Sequence, residues 1–557
     1  MTELTALSDD LLEAQWEAHP IWATLMGIRG HDHEMPDYSE AGDERRRARM
    51  GGIAARAAAL DPAGQDPQER ITRAVLLRAI QDERSDVEVR AVEYTVVDSF
   101  IAPVAQLLIR MSRIALTDRA VVEGYLARLA AIPAVLEALA QRHRAGIIAG
   151  RLPVRSLVDD TVAFIDRYLA HPERDPLRQP APTPESGVDV AGFDAERERL
   201  LAERVHPAYA RYREALVGEV APRSRPDDRP GLCWLPGGEE FYAALCRRHT
   251  TTDRNTDDLH HTGLDLIARL DREYAEIGAR ALGERDPALV RRLLREDPAL
   301  RWKDADALLA HARSTIARAE AAAPGWFGRL PSRGCQVRPV PDDEAPGAAG
   351  AYYMPPALDG SRSGVYYANT YGVGERHRYV SEATAFHEAV PGHHFQLTIA
   401  QELTGLPLLR RMYQSTAYCE GWGLYTERLA DEMGLYSDDL SRLGMLTLDS
   451  MRAARLVVDT GLHAYGWSRE RAAAYLRENT VMAEVDIESE TDRYIAAPGQ
   501  APAYMVGRLE IQRLRTEATA RLGDRFDIRA FHDTVLGNGA LPLDVLADVV
   551  TSWVEAG

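Results

Sequence analysis

Apolar residues recur three and four positions apart along most of this chain, and this spacing constrains its fold more than any other sequence feature. The pattern is clear in ITRAVLLRAIQDERSDV (residues 71–87) and VVEGYLARLAAIPAVLEALAQRH (121–143), and it returns in residues 256–282 and 307–323. Such spacing places the apolar side chains on one face of an α-helix. The sequence therefore predicts a mainly helical protein.

One segment departs from the helical pattern. Between residues 334 and 374 the stretches CQVRPVP and AYYMPPALDGSRSGVYYANTYG combine β-branched and aromatic residues with Pro and Gly. This composition is typical of short strands joined by turns. We expect an all-α fold with one small β-sheet, placed next to the histidine-rich helix that follows it.

The changes in composition suggest three regions. We expect an N-terminal helical region at residues 1–215, a helical scaffold at 216–333, and a region at 334–557 that carries the sheet and the histidines. Residues 171–192 are rich in Pro, Asp and Ser and lack periodicity, so they are predicted to form an exposed loop.

Charge and composition exclude several classes of partner and mechanism. The formal net charge of −19 disfavours binding to nucleic acid, which depends on clustered positive charge. Lys303 is the only lysine, which argues against Schiff-base or P-loop chemistry. The absence of a long apolar run or an N-terminal signal pattern predicts a cytoplasmic protein with no membrane partner, and the four scattered cysteines are expected to be reduced.

The segment TAFHEAVPGHHFQ, from Thr384, contains a candidate metal site. His387 and Glu388 begin like the zincin helix, in which a histidine binds zinc and the next glutamate acts on a water molecule. The usual second histidine four residues later is replaced by Pro391, and histidines follow at 393 and 394. In an ideal helix residue 393 lies about 9 Å along the axis from residue 387, too far to share an ion. We expect Pro391 and Gly392 to distort the helix, so that His393, or alternatively His394, becomes the second ligand.

A third ligand is expected from a neighbouring helix. Glu420, in STAYCEGWGLYTERL, is the preferred candidate, and Glu427 is the alternative because it lies seven residues on and faces the same side. A set of two histidines and one glutamate leaves a fourth position for water, as catalytic zinc requires. The predicted cofactor is one Zn²⁺ ion, although the same ligands would also bind cobalt or manganese.

These motifs resemble the domain-of-unknown-function 885 family, whose members are similar to gluzincin metallopeptidases and carry an H-E-x-x-P-G-H-H-x-Q signature. The signature reads HEAVPGHHFQ here, and further similar segments include AYCEGWGLYTERL, RAARLVVDTGLHAYGW and ESETDRYIAAPGQAPAYMVGRLEIQRLR. The resemblance implies a helical fold with a small sheet beside the site, a gluzincin-like architecture and zinc hydrolase activity. It does not imply a substrate.

In this hypothesis Glu388 is the general base that takes a proton from water and passes it to the leaving amine. Tyr504 is the preferred oxyanion donor, with Arg452 and His463 as alternatives. For each of these three, a structural role in the core or in an ion pair is the competing interpretation.

Four further residues are predicted to contact substrate. Tyr367 and Asn369 belong to GVYYANTYG, which we expect to form the edge strand before the metal helix, unless the tyrosines only pack the sheet. Arg493 and Tyr494 are candidates for binding a substrate carboxylate, because a guanidinium offers two parallel donors. His249 and His260 are expected to be structural.

The leading prediction is a zinc metallopeptidase that cleaves amide bonds in short peptides or peptide-like molecules. One alternative is a metal-dependent hydrolase of a non-peptide metabolite, and another is a helical protein that binds a metal or ligand without turnover. The sequence leaves open whether the chain forms a homodimer.

Overall fold

A computed structural model describes residues 2–341, 345, 348–358, 360 and 362–556. The described residues do not include 342–344, 346, 347, 359 and 361 of the predicted sheet region. They also do not include residue 1 of the predicted N-terminal region or residue 557 of the predicted C-terminal region. The described chain is mainly helical, which confirms the predicted helical class. Its α-helices are α1 Glu3–Ala18, α2 Pro20–Leu25, α3 Glu40–Ala59, α4 Pro67–Glu88, α5 Pro103–Met111, α6 Arg119–Ile148, α7 Arg155–Ala170, α8 Val190–Leu200, α9 His206–Ala215, α10 Gly238–Thr250, α11 Thr256–Ala281, α12 Pro287–Glu296, α13 Ala305–Ala322, α14 Ser381–Glu388, α15 His393–Glu402, α16 Leu408–Met412, α17 Thr416–Glu432, α18 Asp439–His463, α19 Arg469–Asn479, α20 Glu484–Ala496, α21 Ala503–Leu522, α22 Ile528–Leu536 and α23 Leu543–Ala556.

Many helices begin where the sequence supplies an N-cap. At the start of α4, Asp66 accepts a hydrogen bond from the backbone N–H of Glu69, and the Glu69 side chain accepts one from the N–H of Asp66. This reciprocal pair is a capping box, and Pro67 at the first helical position adds to it. Asp438 caps α18 by accepting a hydrogen bond from the N–H of Ser441.

A three-stranded sheet lies beside α14, as the composition of residues 334–374 predicted. Its strands are β1 Gln336–Pro339, β2 Ala351–Met354 and β3 Val365–Ala368. The order is β1-β3-β2, with β1 parallel and β2 antiparallel to β3. Strand β3 is therefore central, and β2 has one free edge.

Buried apolar side chains from Leu4 to Val554 form one contiguous cluster, so a common core runs through all three predicted regions. Two helix pairs pack most extensively, α11 with α18 and α17 with α21. The α17–α21 crossing is close because a Cβ at Gly507 would lie 1.7 Å from the carbonyl oxygen of Ala417, and one at Gly421 would lie 2.5 Å from the Cα of Gly507.

Residues 171–192, predicted to form an exposed loop, are mostly exposed. They contain three short 3₁₀ turns and the start of α8, and Asp175 and Leu177 are buried. The Asp175 carboxylate accepts hydrogen bonds from the Tyr168 hydroxyl and the Leu177 N–H, which ties the segment to the helices around it. None of the described helices is both long and apolar enough to cross a membrane. The four cysteines are free thiols.

Candidate metal centre

The predicted distortion at Pro391 and Gly392 is a complete break between two helices. Helix α14 ends at Glu388 and α15 begins at His393. A Cβ at Gly392 would lie 1.8 Å from the carbonyl oxygen of His387, so only glycine allows the chain to fold back this tightly. The turn brings the imidazole rings of His387 and His393 to a centroid separation of 4.8 Å.

Helix α17 holds this turn through residues that the sequence analysis did not assign. The buried Trp422 indole N–H donates a hydrogen bond of 2.9 Å to the carbonyl of Pro391. The Thr426 hydroxyl donates one of 3.1 Å to the carbonyl of Phe386. Gly423 leaves room for the imidazole, because a Cβ there would lie 2.6 Å from the Cε1 atom of His387. The glycines, tryptophan and threonine of EGWGLYT (residues 420–426) mark this helix in the sequence. Their contacts, however, depend on how α17 packs against the turn.

The ligand atoms converge on one point. The Oε2 atom of Glu420 lies 3.4 Å from the Nε2 atom of His387 and 3.4 Å from that of His393. Two ligands bound at about 2.05 Å to a tetrahedral zinc ion are separated by about 3.3 Å, so these distances match the edges of such a site. The donor set and its geometry fit a single zinc ion.

Glu388 lies in the same cluster. Its carboxylate, together with His387 and His393, offers potential ligand atoms that all lie within 4.8 Å of one another. Glu420 is the better-placed third donor, because one of its oxygens lies 3.4 Å from the Nε2 atom of each histidine. The Glu388 carboxylate instead accepts a hydrogen bond of 3.1 Å from the backbone N–H of Tyr353, which holds it beside the ligands.

Glu427 does not lie where the alternative third ligand was expected. Its fully buried carboxylate lies 2.8 Å from the Nδ1 atom of His387, on the opposite side of the ring from Glu420. A carboxylate at this position fixes the tautomer that presents Nε2 to a metal. Burial acts to lower the pKa of His387, but hydrogen bonds to Glu420 and Glu427 and the charge of Glu388 raise it to about 10. The carboxylates thus create a potential that favours a cation.

His394 points away from the cluster, which decides between the two candidate second ligands. Its Nδ1 atom lies 2.9 Å from the Tyr353 hydroxyl, and its Nε2 atom donates 3.0 Å to the carbonyl of Arg333. Burial lowers its pKa to about 4, so the ring is neutral and structural. His393 is the residue that meets His387.

The strand that faces the centre is β2, not β3 as the sequence analysis expected. Central strand β3 has partners on both sides, whereas the Tyr353 N–H on the free edge of β2 points at Glu388. Asn369 is fully buried, and its amide donates to the carbonyls of Ala345, Ala348 and Ala349. The Tyr367 ring stacks on Tyr352 with centroids 5.1 Å apart. The buried Asn369 therefore supports the sheet and its loop, whereas substrate contact by the half-buried Tyr367 stays a prediction.

A cavity of about 2350 Å³ opens onto the centre. It is lined by the four clustered residues His387, Glu388, His393 and Glu420, by β2, and by N-terminal helices α2, α5 and α7. Among the other predicted site residues, Arg452, Arg493 and Tyr504 also line it. Tyr504 lies on α21 one turn before Gly507, where that helix crosses α17, the helix that carries Glu420.

Tyr494 and His463 do not belong to the described lining of the cavity. The Tyr494 ring is buried, and its hydroxyl accepts a hydrogen bond of 2.9 Å from the Arg455 guanidinium. His463 accepts from the N–H of Leu232 and donates to the carbonyl of Tyr494, and burial lowers its pKa to about 4. The predicted substrate contact of Tyr494 and the alternative oxyanion role of His463 are therefore corrected to structural roles.

His249 and His260 are structural, as expected. The ring of His249 lies 3.2 Å from the Thr416 hydroxyl, and that of His260 lies 2.7 Å from the Thr460 hydroxyl.

Comparison with known proteins identifies relatives but no activity. Over its full length the chain is similar to the crystal structure of the "putative lipoprotein" from Colwellia psychrerythraea, with a TM-score of 0.90, 27% identity and 99% of that chain covered. It shares its fold with the "putative lipoprotein of unknown function" from Shewanella oneidensis, with a TM-score of 0.76, 19% identity, and 99% of this chain and 100% of that chain covered. None of the curated proteins matches it. The model for bacterial proteins of unknown function, DUF885, matches residues 20–550, so the chain belongs to the DUF885 family.

Proposed function

We propose that this protein is a zinc-dependent hydrolase of the gluzincin type that cleaves amide bonds in short peptides or peptide-like molecules. One observation carries the proposal: Glu420 Oε2 lies at zinc-ligand spacing from the Nε2 atoms of both His387 and His393. A carboxylate that only held His387 in place would not need to lie at the same distance from a second histidine. Glu388, next to His387, can act as a general base, which a purely structural metal site does not require.

Each of these side chains has a distinct role in the proposed reaction. A bound zinc ion supplies a Lewis acid that polarises the amide carbonyl and acidifies water. Glu388, held by the Tyr353 N–H, accepts a proton from the attacking water and returns it to the leaving amine. Tyr504 donates a hydrogen bond to the developing oxyanion from the Glu420 side of the cavity.

The sheet provides a means to align a peptide. In β2, the backbone groups of Tyr352 and Met354 pair with β3, so those of Ala351 and Tyr353 lie on the free edge. The Tyr353 N–H holds Glu388, which leaves the Ala351 backbone and the Tyr353 carbonyl for pairing. An extended substrate can pair with such an edge. The cavity exceeds the roughly 300 to 1,000 Å³ of ordinary small-molecule pockets, which leaves room for several residues of peptide.

The first test is metal content measured by mass spectrometry on the purified chain, with peptide hydrolysis followed in parallel. Wild type should hold one zinc per chain, and His387→Ala should hold none. Glu388→Gln should keep its zinc and lose about 10²- to 10⁴-fold in turnover, because it removes the base and not a ligand.

The adjacent histidines provide a matched pair. We expect His393→Gln to lose zinc and His394→Gln to retain it. No bound zinc after reconstitution would overturn the site. Zinc without hydrolysis of any peptide would favour a binding protein, or a hydrolase of a non-peptide metabolite if a wider set of amides and esters is cleaved.

A further inference from the structure

A cluster of three arginines forms part of the wall of the cavity that contains Glu420. Arg452 and Arg455 come from α18 and Arg493 from α20, and all three line the cavity. The Tyr504 ring lies between them, 4.6 Å from the guanidinium carbon of Arg455 and 5.9 Å from that of Arg452. The Tyr504 hydroxyl accepts a hydrogen bond of 3.3 Å from Arg493. The cluster therefore lines the same cavity as the candidate metal centre.

One carboxylate serves this cluster directly. Glu490 accepts hydrogen bonds from Arg455 at 2.8 Å and from Arg493 at 3.1 Å. Burial acts to raise the pKa of Glu490, but the charges of Arg455 and Arg493 and hydrogen bonds from Tyr494 and Arg455 lower it to about 2. Glu490 is thus ionised, and it offsets one of the three positive charges.

Arg452 has no hydrogen-bond partner among the described residues. Its side chain is buried, with a relative exposure of 9%, and its Nε and Nη1 atoms are enclosed without an acceptor. The nearest acidic residue along α18, Asp449, is already paired with Arg428 and Arg508. A buried guanidinium without an acceptor is costly, and proteins rarely keep one without a use.

The wider lining of the cavity has the same sign. Among the described residues that line it, twelve are arginines and eight are aspartates or glutamates. The whole chain has the opposite balance, with 66 basic and 85 acidic residues. The positive charge is concentrated where a substrate would bind, which favours anionic ligands.

We propose that Arg452, supported by Arg455 and Arg493, binds the free carboxylate of the substrate, so that the protein acts on peptides from their carboxyl-terminal end. This inference rests on the proposed amide hydrolysis and adds the substrate class. A guanidinium binds a carboxylate through its charge and its hydrogen bonds. The Nε and Nη1 atoms of Arg452 are enclosed, so Nη2 is the donor that remains for the substrate. Exopeptidase specificity then follows, because an amidated or extended carboxyl end leaves the charge of Arg452 unpaired, whereas Arg455 and Arg493 keep Glu490.

The test uses a randomised N-acetylated tripeptide mixture prepared in two forms, with a free carboxyl end and with a carboxyl-terminal amide. Binding to zinc-loaded Glu388→Gln is measured by equilibrium dialysis with mass spectrometry, so that turnover is not required. Hydrolysis of both mixtures by wild type is measured separately. We expect the free-acid peptides to be retained and cleaved about tenfold to a hundredfold better than the amides, which is the range for hydrogen bonds to a charged group.

Arg452→Gln should lower the binding and cleavage of the free-acid peptides to the level of the amides, so that the preference is lost. It should not lower the melting temperature without ligand, because it removes no hydrogen bond within the protein and relieves a buried charge. The control is Arg174→Gln, which lies on the same cavity but has a side chain 81% exposed, and it should retain the preference.

Equal binding of acids and amides, or a fall in melting temperature in Arg452→Gln, would overturn the carboxylate site. Acid-selective binding without hydrolysis would support the carboxylate site and count against the proposed function. Equal hydrolysis of acids and amides would support the proposed function and count against the carboxylate site.

Discussion

At the scale of single residues, the candidate centre depends on how His387 is held. Glu420 lies on the Nε2 side of the imidazole and Glu427 on the Nδ1 side, and Gly423 provides the space for the ring. The ring has little freedom to rotate, so a metal would meet a ligand that is already oriented. Such orientation reduces the entropy lost on binding.

Replacing Glu427 with Gln tests this orienting role. The variant keeps the shape of the side chain but removes the negative charge beside Nδ1, so zinc affinity should fall about 10- to 100-fold. The measurement is a zinc dissociation constant obtained by chelator competition. Glu432→Gln is the control, because Glu432 lies on the same helix but is exposed and paired with Arg515. Equal affinity in Glu427→Gln and wild type would refute the role.

At the scale of helices, the break between α14 and α15 and the crossing of α17 with α21 assemble the centre together. The break brings His393 back to His387, and α17 contributes Glu420, Trp422 and Thr426 to the same point. Helix α21 crosses α17 at Gly421 and Gly507, and its Tyr504 lines the cavity that opens onto the centre. The spacing of these glycines therefore controls the distance between the ligands and the cavity wall.

Gly507→Ala tests the helix crossing. A Cβ at this position would lie 1.7 Å from the carbonyl oxygen of Ala417, so the helices must separate. We expect a loss of about 3 kcal/mol or more, read as a lower melting temperature in differential scanning fluorimetry.

Gly52→Ala in α3 is the matched control for that change. A Cβ at Gly52 would have no neighbour within 4 Å, so alanine should stabilise the helix by about 0.5 to 1 kcal/mol. If Gly507→Ala melted at the wild-type temperature, the close crossing would be disproved.

At the scale of the whole molecule, the core contains many neutral histidines. Burial lowers the pKa of His143 and His463 to about 4, and that of His249 and His532 to about 3. These rings gain a proton only on unfolding in the interval between their folded values and the usual value near 6.5. Asp82 and Asp459 act in the opposite direction, because burial raises their pKa to about 6 and about 7. The histidines outnumber the two aspartates.

This balance predicts acid sensitivity. Between pH 6.5 and 4 the unfolded chain binds more protons than the folded chain, so the free energy of unfolding falls as the pH is lowered. The melting temperature of the chelator-stripped protein should therefore decrease over this range at constant ionic strength. Calorimetry in buffers of different ionisation enthalpy should show proton uptake on unfolding. A melting temperature that rises or stays level from pH 6.5 to 4 would contradict the prediction.

The helical class, the small sheet before the histidine helix and the pairing of His387 with His393 could be predicted from the sequence. Each depends on local properties: the spacing of apolar residues, the β-forming composition of residues 334–374, and the inability of Pro391 and Gly392 to continue a helix. Glu420 could be predicted as the third candidate ligand, because a third ligand was expected from a nearby helix and the glycine-rich segment of Glu420 is close in sequence.

Only the tertiary structure decided which residues act together. The edge role of β2 depends on the strand order β1-β3-β2, which composition does not encode. The role of Glu427 depends on the side from which α17 approaches His387. Arg452 is distinguished by a buried guanidinium in the cavity wall that has no hydrogen-bond partner among the described residues. These properties arise from contacts between elements distant along the chain. A local pattern can therefore predict a helix and a candidate ligand, but not what its side chains will face.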